Sequence, residues 1–173
     1  MHYGEIKNCD IANGPGVRVT LFVSGCTNHC PNCFQPETWD FEYGQTFTDD
    51  TMEELVGMLD KSYVNGFTVL GGEPMEPRNQ QDLLPILKSI RDRLPQKSIW
   101  IYTGFTYEKL TDENSYCRTD ATDDILGIAD VLVDGRFVEE LKNLRLKFRG
   151  SSNQRIIDLT ATREKGEIVI MDV

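Results

Sequence analysis

Strand-like and helix-like segments alternate along this chain, and the alternation is what most narrows its fold. Val17 to Ser24 is β-branched and apolar and ends at Gly25, which reads as a buried strand. Thr48 to Lys61 places Met52, Leu55, Val56 and Leu59 at helical spacing, with Thr48 or Asp50 as cap. Gly66 to Leu70 is the next strand. Asn79 to Leu94 is a second helix with Leu83, Leu84, Leu87, Ile90 and Leu94 on its inner face. Pro85 fits a helix only near its first turn, which moves the expected start to about Asp82. Ser98 to Thr103 and Asp130 to Asp134 read as further strands, with helix fragments at Tyr107 to Leu110 and Asp123 to Ala129 around a polar loop, Thr111 to Thr122. Phe137 to Leu141 reads as a short helix, and Arg155 to Leu159 and Glu167 to Met171 as short strands. Such βα units imply an α/β fold with a largely parallel sheet. A complete eight-unit barrel takes ~250 residues, and this chain has 173. The expectation is one domain over 1–173, an open, partial TIM-type (β/α) barrel of roughly five or six mostly parallel strands.

Charge and hydropathy remove several classes of function. Lys and Arg total 18 against 28 Asp and Glu, a net charge of -10. A chain this acidic is a poor general nucleic-acid binder. No run approaches the ~20 apolar residues of a membrane span. The segment from Met1 to Glu5 lacks the basic and apolar regions of a signal peptide, so the expected compartment is the cytoplasm. The acidic pairs Asp49-Asp50, Glu53-Glu54 and Asp123-Asp124 read as solvated surface and helix-start charges. Arg145, Lys147 and Arg149 alternate; they could grip an acidic partner or a nucleotide, but a solvated edge strand is the plainer reading.

Five cysteines are present, and three crowd together as Cys26-x3-Cys30-x2-Cys33. An odd number without a secretion signal argues against a disulfide framework. Three thiolates in a loop turned by Gly25 and Pro31 can wrap one inorganic centre. Zinc takes four ligands, with His29 available as the fourth, although its place beside Cys30 is awkward. A [4Fe-4S] cluster on three cysteines leaves one iron open for a reacting ligand. Cys9 and Cys117 stand alone, and lone cysteines are usually small buried hydrophobes.

This spacing resembles the signature of the radical S-adenosylmethionine superfamily. Thr68-Val69-Leu70 runs into Gly71-Gly72-Glu73-Pro74, and in that superfamily such a turn receives the amino group of the cofactor's methionine. Glycines allow close backbone approach, and a carboxylate suits an ammonium. Asn13-Gly14-Pro15-Gly16-Val17-Arg18 is similar to a segment of glycyl-radical activases, as is Trp100 to Thr106. Val131 to Phe137 and Arg149 to Ile157 are similar to the C-terminal half of the anaerobic ribonucleoside-triphosphate reductase-activating family. Here the aromatic residue follows the third cysteine, as Phe34, where many superfamily members have one before it, at the position of Asn32.

The resemblance implies a [4Fe-4S] cluster on Cys26, Cys30 and Cys33, and S-adenosylmethionine held by Asn32, Cys33, Phe34, Gly71, Gly72, Glu73, Pro74 and Thr103. It implies reductive cleavage to a 5'-deoxyadenosyl radical, which takes a hydrogen atom from a glycine of the large reductase subunit. No protein general base is then needed, and His29 reads as a solvent-facing loop residue. A flavodoxin- or ferredoxin-type electron donor and a homodimer or heterotetramer go with this reading. The alternatives are a pyruvate formate-lyase-type activating enzyme and a small-molecule enzyme such as a carboxy-deazaguanine synthase. The cysteine loop, the Gly71–Pro74 turn and Thr103 all follow strands, which gathers them at the C-terminal edge of the sheet.

Overall fold

A computed structural model describes residues 1–173. One seven-stranded sheet organises them: β1 (His2–Asp10), β2 (Val17–Val23), β3 (Gln45–Thr46), β4 (Val64–Gly71), β5 (Ser98–Tyr102), β6 (Val131–Asp134) and β7 (Arg155–Asp158). Their spatial order is β3-β1-β2-β4-β5-β6-β7. The four central strands, β2, β4, β5 and β6, run parallel, while β1, β3 and β7 add antiparallel margins. The sheet is not closed. Its helices are α1 (Asp49–Leu59), α2 (Pro77–Arg93), α3 (Tyr107–Thr111), α4 (Thr122–Ile128) and α5 (Leu159–Lys165).

Helix α1 starts where its cap demands. The Thr48 hydroxyl accepts from Thr51 N, and the Thr51 hydroxyl accepts from Thr48 N, which satisfies two otherwise orphaned donors. Helix α2 begins at Pro77, five residues before the expected start near Asp82, and carries Pro85 in its interior. A proline at the first position needs no N–H, so Pro77 suits a helix start. Pro85 faces solvent, where water can satisfy the Gln81 carbonyl that its ring deprives of a donor.

The core lies between the sheet and α1, α2 and α4. Leu55, Leu59, Leu83, Leu87, Ile90 and Ile125 meet Leu21, Phe67, Val69, Ile99, Ile101 and Leu132, all fully buried. Each such side chain contributes ~1.5–3 kcal/mol. Alternation along β5 sends Trp100 to the opposite face, into a smaller cluster with Val131, Val133 and Ile156. Arg18 lies on that face, fully buried beneath the Trp100 ring at 5.4 Å. It has no carboxylate partner; its guanidinium donates to the Thr68 and Ser98 hydroxyls and to the Phe67 and Ser98 carbonyls at 2.6–3.0 Å. Burial pulls its pKa down to about 10.

Several expectations are corrected. Strand β1 has no counterpart among the expected elements, because HYGEIKNCD carries too few apolar residues to show a period. Cys9 lies in a register shift of β1 with φ 60°, exposed and not buried; Cys117 is fully buried. Glu167 to Met171 forms no strand, only a bridge between Ile170 and Ile157. Helix α5 occupies a stretch with no expected element, capped by the Asp158 carboxylate at Ala161 N (2.8 Å) and ended by Gly166 at φ 70°. The expected helix at Phe137 to Leu141 shrinks to a 3-10 turn, Glu139–Leu141. Arg145, Lys147 and Arg149 sit in irregular loop structure, not on an edge strand.

Candidate active site

Four loops leave the same sheet edge and surround one cavity of about 310 Å³. They follow β2, β4, β5 and β6. Cys26, Cys30, Cys33, Phe34, Gly71, Gly72, Glu73, Pro74 and Thr103 all line it. Asn32 does not; it is exposed, with φ 58°. His29 is exposed as well, its ring 4.4 Å from that of Trp39.

The cysteine loop is bolted to the turn after β4. Gly72 N donates to Val23 O (2.7 Å) and Glu73 N to Gly25 O (2.8 Å). A Cβ on Gly72 would lie 2.7 Å from Gly25 O, so only glycine permits this approach. Asn79, at the start of α2, donates to Ser24 O and Glu73 O, which ties both segments to the helix. The Glu76 carboxylate accepts from Thr27 N (2.7 Å) and from the Thr27 hydroxyl (2.6 Å).

Glu73 is 1% exposed and joins three loops. One oxygen accepts from Met75 N (2.9 Å). The other accepts from Gly104 N (2.7 Å) and from Asn28 Nδ2 (3.0 Å). Burial pushes its pKa up to about 7, while bonds from Thr103, Met75 and Gly104 pull the other way. The carboxylate expected to face a ligand ammonium is thus chiefly engaged by protein donors. Asn28, between the first two cysteines, accepts in turn from Arg136 at its carbonyl (3.1 Å) and side-chain oxygens (3.0 Å). Arg136 is the one Lys or Arg on the cavity wall.

The donor set fits an iron-sulfur cluster. All three thiols are free and border one space. Burial pushes the Cys26 thiol up to about 11; it also raises Cys30, outweighing the pull of Arg136. Metal binding has to displace those protons. The wall also carries one carboxylate and one guanidinium, Glu73 and Arg136, each bonded to Asn28.

Sequence reasoning missed Asn28, Gly104, Arg136, Phe137 and Gln154 on this wall. Arg136 had a signal, since Val131 to Asp134 is a strand and the residues just after parallel strands build the site. Asn28 had none beyond lying between two cysteines.

Comparison with known proteins gives the family of the chain. Residues 12–157 match the family model of a 4Fe-4S single cluster domain. An anaerobic ribonucleoside-triphosphate reductase-activating protein of Enterobacteria phage T4 is 38% identical over 156 residues, 90% of this chain and 93% of that protein. The protein of that name from Escherichia coli (strain K12) is 40% identical over 156 residues, covering 89% of this chain and 96% of its own. The one from Vibrio cholerae serotype O1 is 35% identical over 158 residues, covering 90% and 97%.

Proposed function

We propose, for a chain that belongs to the anaerobic ribonucleoside-triphosphate reductase-activating protein family and to the single-cluster 4Fe-4S domains, that it generates the glycyl radical of such a reductase. The observation that carries the reading is the cysteine loop hydrogen-bonded to the Gly71–Pro74 turn on the wall of one cavity. The three relatives described above share one name, which favours this reading over the pyruvate formate-lyase-type and carboxy-deazaguanine ones.

Cys26, Cys30 and Cys33 hold the [4Fe-4S] cluster. When bound, the cluster would supply the one electron that splits S-adenosylmethionine into methionine and the 5'-deoxyadenosyl radical, the species that abstracts hydrogen. Gly71 and Gly72 let the turn's backbone approach the cofactor. Glu73 fixes the three loops and presents its remaining acceptor capacity, and Pro74 and Thr103 shape the wall beside it. Phe34 provides an aromatic surface at the mouth. Asn32 lies outside the cavity and serves the loop's turn. The open sheet is a partial (β/α) barrel in one domain, and its unclosed flank leaves room for a polypeptide to enter. No helix is long and apolar enough to cross a membrane. A cytoplasmic protein served by a flavodoxin- or ferredoxin-type donor, as a homodimer or in a heterotetramer with the reductase, completes the reading.

The test is anaerobic. The reconstituted protein, reduced and mixed with S-adenosylmethionine and the large reductase subunit from the same source, should give a glycyl doublet by electron paramagnetic resonance, with 5'-deoxyadenosine released. Cofactor cleavage without a radical on the reductase overturns the reading.

A further inference from the structure

We propose that the segment between β6 and β7 is the docking surface for an acidic, apolar-tipped loop of the partner protein, with Leu144, Arg145 and Lys147 as its contacts. The inference rests on the function proposed above and names the surface through which that partner is recognised.

The two ends of the segment border the cavity. Phe137 near its start and Gly150 near its end line the cavity wall. Between them the Lys142 ammonium lies 5.5 Å from the ring centroid of Phe34, which also lines the cavity and sits 5.8 Å from the Phe137 ring. A polypeptide that reaches the cavity by this side passes the segment.

The segment is anchored below and bare above. Ser152 N donates to Leu141 O (3.0 Å) and Asn143 N to Gly150 O (3.2 Å), which closes it into a loop. The Tyr102 hydroxyl donates to Phe148 O (2.8 Å), and the Phe148 ring packs against Trp100 at 5.8 Å, which fixes it to the sheet. Above this base, Leu144 is 91% exposed. This leaves a bare leucine on a loop held in place by these bonds, where a partner can cover it.

Charge selects the partner. Lys142 to Arg149 holds four cations and no carboxylate, in a chain of net charge -10. Only Lys142 has an ion pair, with Glu139 at 3.5 Å. Arg149 spends its guanidinium on Gln154 O (2.6 Å), and Arg145 and Lys147 enter no ion pair. Two unpaired cations that follow a bare leucine are complementary to carboxylates beside an apolar residue. A nucleic-acid backbone would need a wider basic field than this one loop on an acidic protein.

The experiment uses the reconstituted holoprotein, its R145E/K147E double variant, and L144S. Anaerobic titration against the large reductase subunit gives affinity, and glycyl-radical formation gives KM and kcat. Cofactor cleavage driven by a chemical reductant without reductase reports the basal site. The charge-reversed variant should bind the reductase roughly tenfold more weakly or worse, with raised KM, unchanged kcat and unchanged basal cleavage. Wild-type affinity should fall as salt rises from about 50 to about 300 mM, and the variant should lose most of that dependence. L144S should weaken binding without altering the salt dependence. Unchanged affinity in both variants overturns the inference while the proposed function stands. Loss of self-association in sedimentation with reductase binding intact makes a second copy the occupant and overturns it. Loss of binding to a single-stranded oligonucleotide probe with reductase binding intact overturns it as well. If the wild-type protein cleaves the cofactor but places no radical on the reductase, the proposed function falls and takes this surface with it.

Discussion

Replacing Glu73 by glutamine sets the burial of a charge against the donors around it. The folded-state pKa is about 7 against an ordinary 4.5, and burial is the main cause. Between these values the folded protein keeps a proton that the unfolded chain releases. The associated stability is therefore present below the unfolded value and is lost as pH rises through the folded one. The difference between 4.5 and about 7 corresponds to ~3 kcal/mol, of which ~2 kcal/mol falls above about pH 5.5. A glutamine at this position has no proton to lose, so this slope vanishes. It has a different cost, since its amide nitrogen must face the N–H of Met75 or that of Gly104. An unmatched buried donor costs ~1–3 kcal/mol at any pH. The Glu73→Gln variant should thus be less stable than wild type by ~1–3 kcal/mol at about pH 5.5, with the gap ~2 kcal/mol smaller at about pH 7.5. Urea unfolding of the cluster-free proteins at both pH values measures it. A gap that stays constant would show that the carboxylate does not carry a buried charge, and the reasoning would fail.

Alanine at Cys26, Cys30 or Cys33 should abolish the iron content and visible absorption of the reconstituted protein, whereas Cys9→Ala and Cys117→Ala should keep both; iron loss from Cys117→Ala would refute three-thiolate ligation. Glu108, bonded to Arg155 and held down to about 2, adds stability that is present above its ordinary value of 4.5 and lost as pH falls. Its side chain is 58% exposed, so Glu108→Gln should cost only ~0.5–1 kcal/mol near neutral pH, shrinking in acid, by denaturant titration. Pro85→Ala should restore a bond to the Gln81 carbonyl and raise stability by ~1–2 kcal/mol, a Tm increase of ~2–8 °C by calorimetry; a lower Tm would mean that the ring packs usefully in α2.

What could be read in advance tracks where the hydrophobic signal is dense. β2, β4, β5 and β6 are buried on both faces and announce themselves as apolar runs, and the leucines of α1 and α2 keep a helical period. β1 is held by backbone pairing to β2 and leaves Glu5, Lys7 and Asn8 in water, so its residues show no alternation. Pro85 misled because a helix tolerates it where the orphaned carbonyl meets solvent. Within the site, the cysteines and the Gly71–Pro74 turn carry local motifs. The Arg136–Asn28–Glu73 chain does not, because Arg136 donates to a residue 108 positions away. Glu73 was legible as a site residue, but its engagement by Gly104 N and Asn28 depends on how β5 and the cysteine loop pack, which no spacing encodes.

The two margins of the sheet differ. At one, β3 is only Gln45–Thr46. At the other, the chain's own tail occupies the outer side of β7: Asp158 N donates to Val169 O and Met171 N to Ile156 O. The β7 side offers no row of vacant amides, whereas β3 covers only His2 and Tyr3 of β1, so main-chain annealing of a second chain is confined to the stretch of β1 beyond Tyr3. Two properties follow. The β7 margin resists the strand-by-strand polymerisation that open α/β sheets invite when concentrated. An assembly built at that margin must be read out through side chains, where single substitutions can tune or abolish it, and not through main-chain pairing, which tolerates almost any sequence.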